Sequence, residues 1–204
     1  MRHGQKVWWV ILAALLLALF QTQAAFAAEG AVPEDAVPDG AHCVVALEAL
    51  PAGATADSGS ASQPTCFQSF ADAIEYATAG RVVLPESATT VSEKQLQAAG
   101  AVSTRDSQVA RPLLGIEYQH TDYGGESLVL YGASGSGCYA GVWYGFPDLG
   151  DLGFNNRISS ARMYSNCLGK HHDGTHYTGT YRYCDSSCPS LGAMNDRTSS
   201  IKFI

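Results

Sequence analysis

The sequence predicts an all-β C-terminal domain assembled from two copies of one motif, preceded by a small α+β unit. Three observations carry that prediction. A polar hexad, Asn155-Asn156-Arg157-Ile158-Ser159-Ser160, returns 40 positions later as Asn195-Asp196-Arg197-Thr198-Ser199-Ser200, each copy running into a strand-like segment. Upstream of each hexad lies a related hairpin, Tyr118 to Gly125 and His172 to Gly179, in which a ring, four residues, an aromatic, one residue and a glycine come in order. Finally, the hydrophobic period changes along the chain. Ile116, Tyr118 and His120, then Leu128 and Leu130, then Val142, Tyr144 and Phe146 alternate as half-buried strands do, whereas Phe67, Phe70, Ala71, Ile74 and Ala77 recur at three and four, along one helix face.

From the N-terminus, Arg2 and Lys6 precede 14 unbroken apolar residues, Val7 to Phe20, and Ala25-Phe26-Ala27 gives a small-x-small cleavage signal. Residues 1–27 read as a secretory signal peptide, which places the protein outside the cell; the run is shorter than the roughly 20 residues of a membrane-spanning helix. No membrane span is expected in the mature chain. Losing Arg2 and Lys6 takes the formal charge from −7 to −9, which argues against electrostatic binding of nucleic acid.

Residues 28–41 are acidic and proline-containing and read as a flexible arm. Cys43 to Leu47 reads as a short buried strand, followed by a loose Ala/Gly/Ser-rich loop from Pro51 to Pro64. Cys66 opens the helical pattern, Gly80 stands at its C-terminal cap, Arg81 to Leu84 reads as a strand ended by Pro85, and Ser92-x-x-Gln95 has the spacing of a capping box. Together these make an α+β unit over 42–100, and 101–112 reads as a linker to the domain at 113–204. No catalytic constellation stands out in this unit; it reads as a packing domain, or as a pro-segment or folding aid for the C-terminal domain.

All six cysteines lie beyond the signal segment, and an even count in an oxidising compartment reads as disulfides. Fifteen pairings are possible. The expected set is Cys43 with Cys66, Cys138 with Cys167 and Cys184 with Cys188; the first two would each contribute about 3 kcal/mol on the chain-entropy view.

The hexads offer only oxygen donors, which suit a hard cation such as calcium and suit zinc or copper poorly. Asn, Asp and Ser also cluster in ordinary turns, where they bond their own backbone. What favours a site is the recurrence of the pattern in the same order beside two hairpins. His171, His172, Asp173 and His176 lie within six residues, but Gly174 argues against the helix that would align them for zinc, and no glutamate stands in for a base. Gly135-Ser136-Gly137-Cys138-Tyr139-Ala140 matches a relaxed dinucleotide fingerprint without the helix that such a fingerprint opens. The tyrosines between Tyr177 and Tyr183 read as sandwich core and rim rather than as a carbohydrate platform.

The doubled order of hairpin and hexad resembles the βγ-crystallin superfamily, whose Greek-key hairpin is Tyr/Phe-x4-Tyr/Phe-x-Gly and whose calcium loop is Asn/Asp-Asn/Asp-x-x-Ser/Thr-Ser. Both hexads fit the loop pattern, the first hairpin fits in full, and the second carries His172 where an aromatic is expected. The resemblance implies a βγ-crystallin-type double Greek-key sandwich with two calcium ions, each held by one motif's loop and completed by the other's hairpin. Carried over residue by residue, Ser159 and Ser199 supply hydroxyl oxygens. Asn155, Asn156, Asn195 and Asp196 supply side-chain oxygens or hold the turn, and Arg157 and Arg197 offer backbone carbonyls. Ser160 and Ser200 would brace the hairpins. With Asp196 as the one carboxylate, affinity should be about 10⁻⁵ to 10⁻³ M.

The leading function is thus a secreted, non-catalytic calcium-binding module. The alternative is a secreted metalloproteinase inhibitor with an extracellular protease as partner, because microbial inhibitors of that class resemble this combination of fold, secretion and disulfides. Its loop would be Asp185-Ser186-Ser187, which is small and acidic where such proteases favour a large apolar residue, or else Gly137 to Tyr144. A toxin or surface-interaction protein on the same scaffold is the third class.

Overall fold

The computed structural model describes residues 40–55, 60–139 and 141–204. The signal segment, and the arm up to residue 39, lie outside the described residues. Among the described residues no helix is long and apolar enough to cross a membrane.

The N-terminal part supplies strands β1 (His42–Leu47), β2 (Leu50–Pro51) and β3 (Thr65–Phe67) and helices α1 (Phe70–Ala77) and α2 (Glu93–Ala98). The first Greek-key motif supplies β4 (Leu113–Tyr118), β5 (Ser127–Gly132), β6 (Val142–Phe146) and β7 (Ser160–Met163). The second supplies β8 (Gly169–His172), β9 (Tyr181–Cys184), β10 (Ser187–Cys188) and β11 (Ser200–Phe203). One sheet has the order β10-β7-β4-β5-β1-β3 and the other β2-β6-β11-β8-β9. Each motif therefore places three of its strands in one sheet and sends its third strand, β6 or β10, to the edge of the other motif's strands. This reciprocal exchange is the double Greek-key sandwich expected from the sequence.

Strand parity, switched in β4 by a register shift between Leu113 and Gly115, sorts the side chains into two cores. Cys43, Val45 and Leu47 of β1, Leu114 of β4 and Leu128 and Leu130 of β5 face Tyr144, Phe146, Ile201 and Phe203 between the sheets. Val44, Ala46, Ile116, Tyr118, Val129 and Tyr131 point the other way, onto Phe70, Ile74, Ala77 and Leu96. The central strands of the first sheet, β1, β4 and β5, are thus buried on both faces, which is why they read as nearly continuous apolar runs. Residues 42–100 and 113–204 meet through this sheet, since β1 runs parallel to β5 with His42 opposite Ser127 and Leu47 opposite Gly132.

Local chemistry sets the helix ends. Ser69 accepts from the Asp72 amide at the start of α1, and Ala79 and Gly80, both with positive φ, end it. Ser92 and Gln95 form the expected capping box on α2. Two sequence expectations change. Phe67 ends β3 instead of beginning α1, because Cys66 is held opposite Cys43 on β1. The segment Arg81 to Leu84 forms no strand: Val82 and Leu84 are buried with the helix residues, and the segment pairs with neither sheet. All three expected disulfides form: Cys43–Cys66, Cys138–Cys167 and Cys184–Cys188.

Candidate metal centre

Each motif opens with a ring-on-ring corner. In the first, Tyr118 at the end of β4 meets Tyr123 edge-on, with ring centroids 5.6 Å apart. In the second, His172 meets Tyr177 edge-on at 6.2 Å. The imidazole thus fills the corner position that the pattern reserves for an aromatic. Burial, and then the nearby Lys170 ammonium, hold its pKa below the ordinary histidine value, which favours the neutral ring this packing needs. Both turns use the same backbone, with positive φ at Asp122 and Tyr123 and again at His176 and Tyr177.

The sixth hexad residue ties each corner down. Ser160 Oγ accepts from the Tyr123 amide at 3.0 Å and donates to the His120 carbonyl, and Ser200 Oγ does the same for the Tyr177 amide at 2.9 Å and the Gly174 carbonyl. These serines brace the hairpins. Ser160→Ala should cost about 1–3 kcal/mol in urea unfolding, because it strands a backbone donor as well as removing a bond; an unchanged midpoint would count against this bracing.

The two hexads meet about the sandwich's internal pseudo-twofold. The Asn156 amide donates to the Thr198 carbonyl and the Asp196 amide to the Ile158 carbonyl, each at 2.9 Å, clasping the loops back to back. Asn156 and Asp196 both have positive φ, which turns their side chains across the clasp. Ser159 Oγ donates to Asp196 Oδ1 at 2.8 Å, and Ser199 Oγ approaches Asn156 Oδ1 at 3.5 Å. Both serines are buried, whereas Asn156 and Asp196 are exposed, so each pair has one rigid and one solvent-facing oxygen. The fifth residue of one hexad is therefore paired with the second residue of the other. That cross-pairing is invisible in either hexad alone.

The remaining hexad residues divide. Asn195 Oδ1 accepts from Ser190 Oγ at 3.3 Å and so holds its own loop, and Asn155 is exposed. The arginine side chains turn back to their own hairpins: Arg157 pairs with Glu126 at 2.5 Å and donates to the Gly153 carbonyl, and Arg197 pairs with Asp173 at 2.9 Å and donates to the Ala193 carbonyl. Their own carbonyls accept no backbone hydrogen bond among the described residues. Sequence reasoning pairs neither Glu126 with Arg157 nor Asp173 with Arg197. The two carboxylates occupy different offsets in the two hairpins, so the repeat does not reveal them.

The oxygens gathered here are of the hard class that calcium takes. Ser159 with Asp196, and Ser199 with Asn156, gather hard oxygens, and the carboxylate makes the first pair the stronger. Among the described residues no three His, Cys, Asp or Glu side chains gather into a group that could hold a metal ion, so the hexad oxygens come from serine, asparagine, one aspartate and the backbone. His171 points into the sandwich, His172 into its corner, and His176 lies exposed in the turn. The loop bracketed by Cys184 and Cys188 lies in the first sheet: Ser187 pairs with Arg162, and Ser186 accepts from the Met163 amide. A surface depression of about 670 Å³ runs along α1 between Phe67, Tyr76 and Arg111 and includes no hexad residue.

No protein-family model matches the chain, and no curated protein matches it. Solved structures similar to it include a double mutant of a βγ-crystallin domain from Clostridium beijerinckii, 25% identical over 44% of this chain and 94% of that one, with a TM-score of 0.35. The N-terminal domain of Protein S is 21% identical over 45% of this chain and 94% of that one, with a TM-score of 0.37. A βγ-crystallin from an archaeon is 22% identical over 45% of this chain and 98% of that one, with a TM-score of 0.34.

Proposed function

We propose that this protein is a secreted, non-catalytic calcium-binding module of the βγ-crystallin type, stabilised by calcium together with its three disulfides. The observation that carries the reading is the meeting of Ser159 Oγ with Asp196 Oδ1 across the two motifs, echoed by Ser199 and Asn156. In the free protein the buried hydroxyl and the carboxylate hold each other by a hydrogen bond. Calcium replaces that bond with direct coordination, drawing on oxygens already in place. The Arg157 and Arg197 carbonyls extend the donor set.

Because each oxygen pair joins loops from different motifs, an ion there clamps the motifs together and binds the folded state alone. At a calcium concentration of about 100 times Kd, each such site contributes about 2.7 kcal/mol. The site with Asp196 should fill first. The nearby guanidiniums, each already neutralised by its own hairpin carboxylate, keep affinity in the modest range.

Melting the oxidised protein in EDTA and in millimolar calcium tests this, alongside a Ser159→Arg/Ser199→Arg variant. The parent should gain about 5–10 °C from calcium, and the variant should gain nothing while remaining folded in EDTA. A folded parent with the same melting temperature in both buffers would sink the reading.

A further inference from the structure

The two sheets differ in what covers them. In the first sheet the outer face of β1, β4 and β5 lies under α1, α2 and the segment between them. Across β6, β11, β8 and β9, the outward positions of the second sheet carry Trp143, Lys202, Lys170, His172, Tyr181 and Tyr183. Tyr181 and Tyr183 are 49% and 46% exposed, against the expectation that this tyrosine-rich stretch would be core and rim. Their rings sit edge-on with centroids 5.3 Å apart.

The charge on this face is unusual. Lys170 and Lys202 stand directly opposite each other on neighbouring strands, a like-charge arrangement that destabilises a sheet. Aromatic rings hold both ammonium groups in place: Lys170 Nζ lies 3.7 Å from the Tyr181 ring centre and Lys202 Nζ 3.9 Å from that of Trp143. Burial, and then Lys170, lower the pKa of Lys202, as expected of two cations with no anion between them. No carboxylate occupies an outward position on these four strands, although the chain carries a formal charge of −7. The nearby Asp173 is tied to Arg197 and to the Thr180 amide.

We propose that this outer face docks an acidic polysaccharide, whose sugar rings stack on Tyr181 and Tyr183 while their carboxylates settle between Lys170 and Lys202. Flat rings presented by rigid strands suit the C–H faces of sugars, and two positioned ammonium groups suit the carboxylates that a uronic acid polymer carries beside those rings. Nucleic acid fits less well, because its affinity rests on many phosphate contacts at once and this face offers two ammonium groups. The inference uses no hexad residue and is independent of the calcium reading.

The test measures binding of the purified protein to immobilised polygalacturonate in EDTA, beside neutral dextran and oligothymidylate. Polygalacturonate should bind best, and added salt should weaken it. Lys170→Gln/Lys202→Gln should lower affinity at least about tenfold, while the lost like-charge repulsion leaves the melting temperature unchanged or raised. Tyr181→Ser/Tyr183→Ser should weaken binding comparably, and Tyr181→Phe/Tyr183→Phe should retain it. Absence of polygalacturonate binding, equal binding to dextran, tighter binding to oligothymidylate, or undiminished binding by a folded lysine variant would each overturn the proposal.

Discussion

Replacing Glu117 with leucine is expected to destabilise the protein by about 1–3 kcal/mol, the cost of leaving a buried polar group without its hydrogen bond. Glu117 on β4 and His171 on β8 are both fully buried in the sandwich, and Glu117 Oε2 meets His171 Nε2 at 2.9 Å. Glu117 Oε1 and His171 Nδ1 have no hydrogen-bond partner among the described residues, so the single contact between the sheets carries the satisfaction of both side chains. Removing one leaves the other buried among apolar neighbours. Glu117→Leu/His171→Leu should recover most or all of the loss, because an apolar pair of similar volume needs no partner. Urea midpoints for the two single variants and the double variant form a cycle that isolates the coupling. If Glu117→Leu alone left the midpoint where it was, the pair would be a bystander.

This pair also shows where sequence reading stops. Glu117 and His171 each stand one residue before a corner ring, Tyr118 or His172, so the two motifs carry them at equivalent places. The repeat is legible, but their contact is not, because it arises only when the two motifs face each other. The same holds for Ser159 and Asp196. Each hexad can be recognised from local composition, whereas the oxygen pair is made by two loops 37 residues apart in the chain.

β1 illustrates a second limit. Its apolar run is visible in the sequence, but a parallel neighbour leaves no hairpin signal, and so its place beside β5 cannot be read there. Arg81 to Leu84 misleads for the opposite reason. Its alternation reflects burial of Val82 and Leu84 among the helix residues without any strand to pair with. Side-chain parity alone does not distinguish these cases. Local chemistry is legible where it is self-contained, as in the Ser92–Gln95 box and the serines that end each hexad.

Phe70→Ala should cost about 3–5 kcal/mol and should also separate the two candidate calcium sites. Phe70 on α1 is 2% exposed and stacks on Tyr118, with ring centroids 6.1 Å apart. The Tyr118 carbonyl in turn accepts the Ser159 amide at 2.9 Å. A cavity at Phe70 therefore loosens the corner that holds Ser159 in place. Ser199 is held differently: its amide donates to the His172 carbonyl at 2.7 Å, on the sheet that α1 does not cover. Calcium should consequently bind more weakly at Ser159 and Asp196 and with little change at Ser199 and Asn156. Melting in EDTA gives the stability loss by itself, and calcium titrations of Phe70→Ala with and without Ser199→Arg give the effect on each site. A large stability loss with both affinities unchanged would show that α1 supports the sheet without reaching the metal loops. Selective weakening of the Ser159 site would make the N-terminal segment a working part of that site, acting through the corner tyrosine.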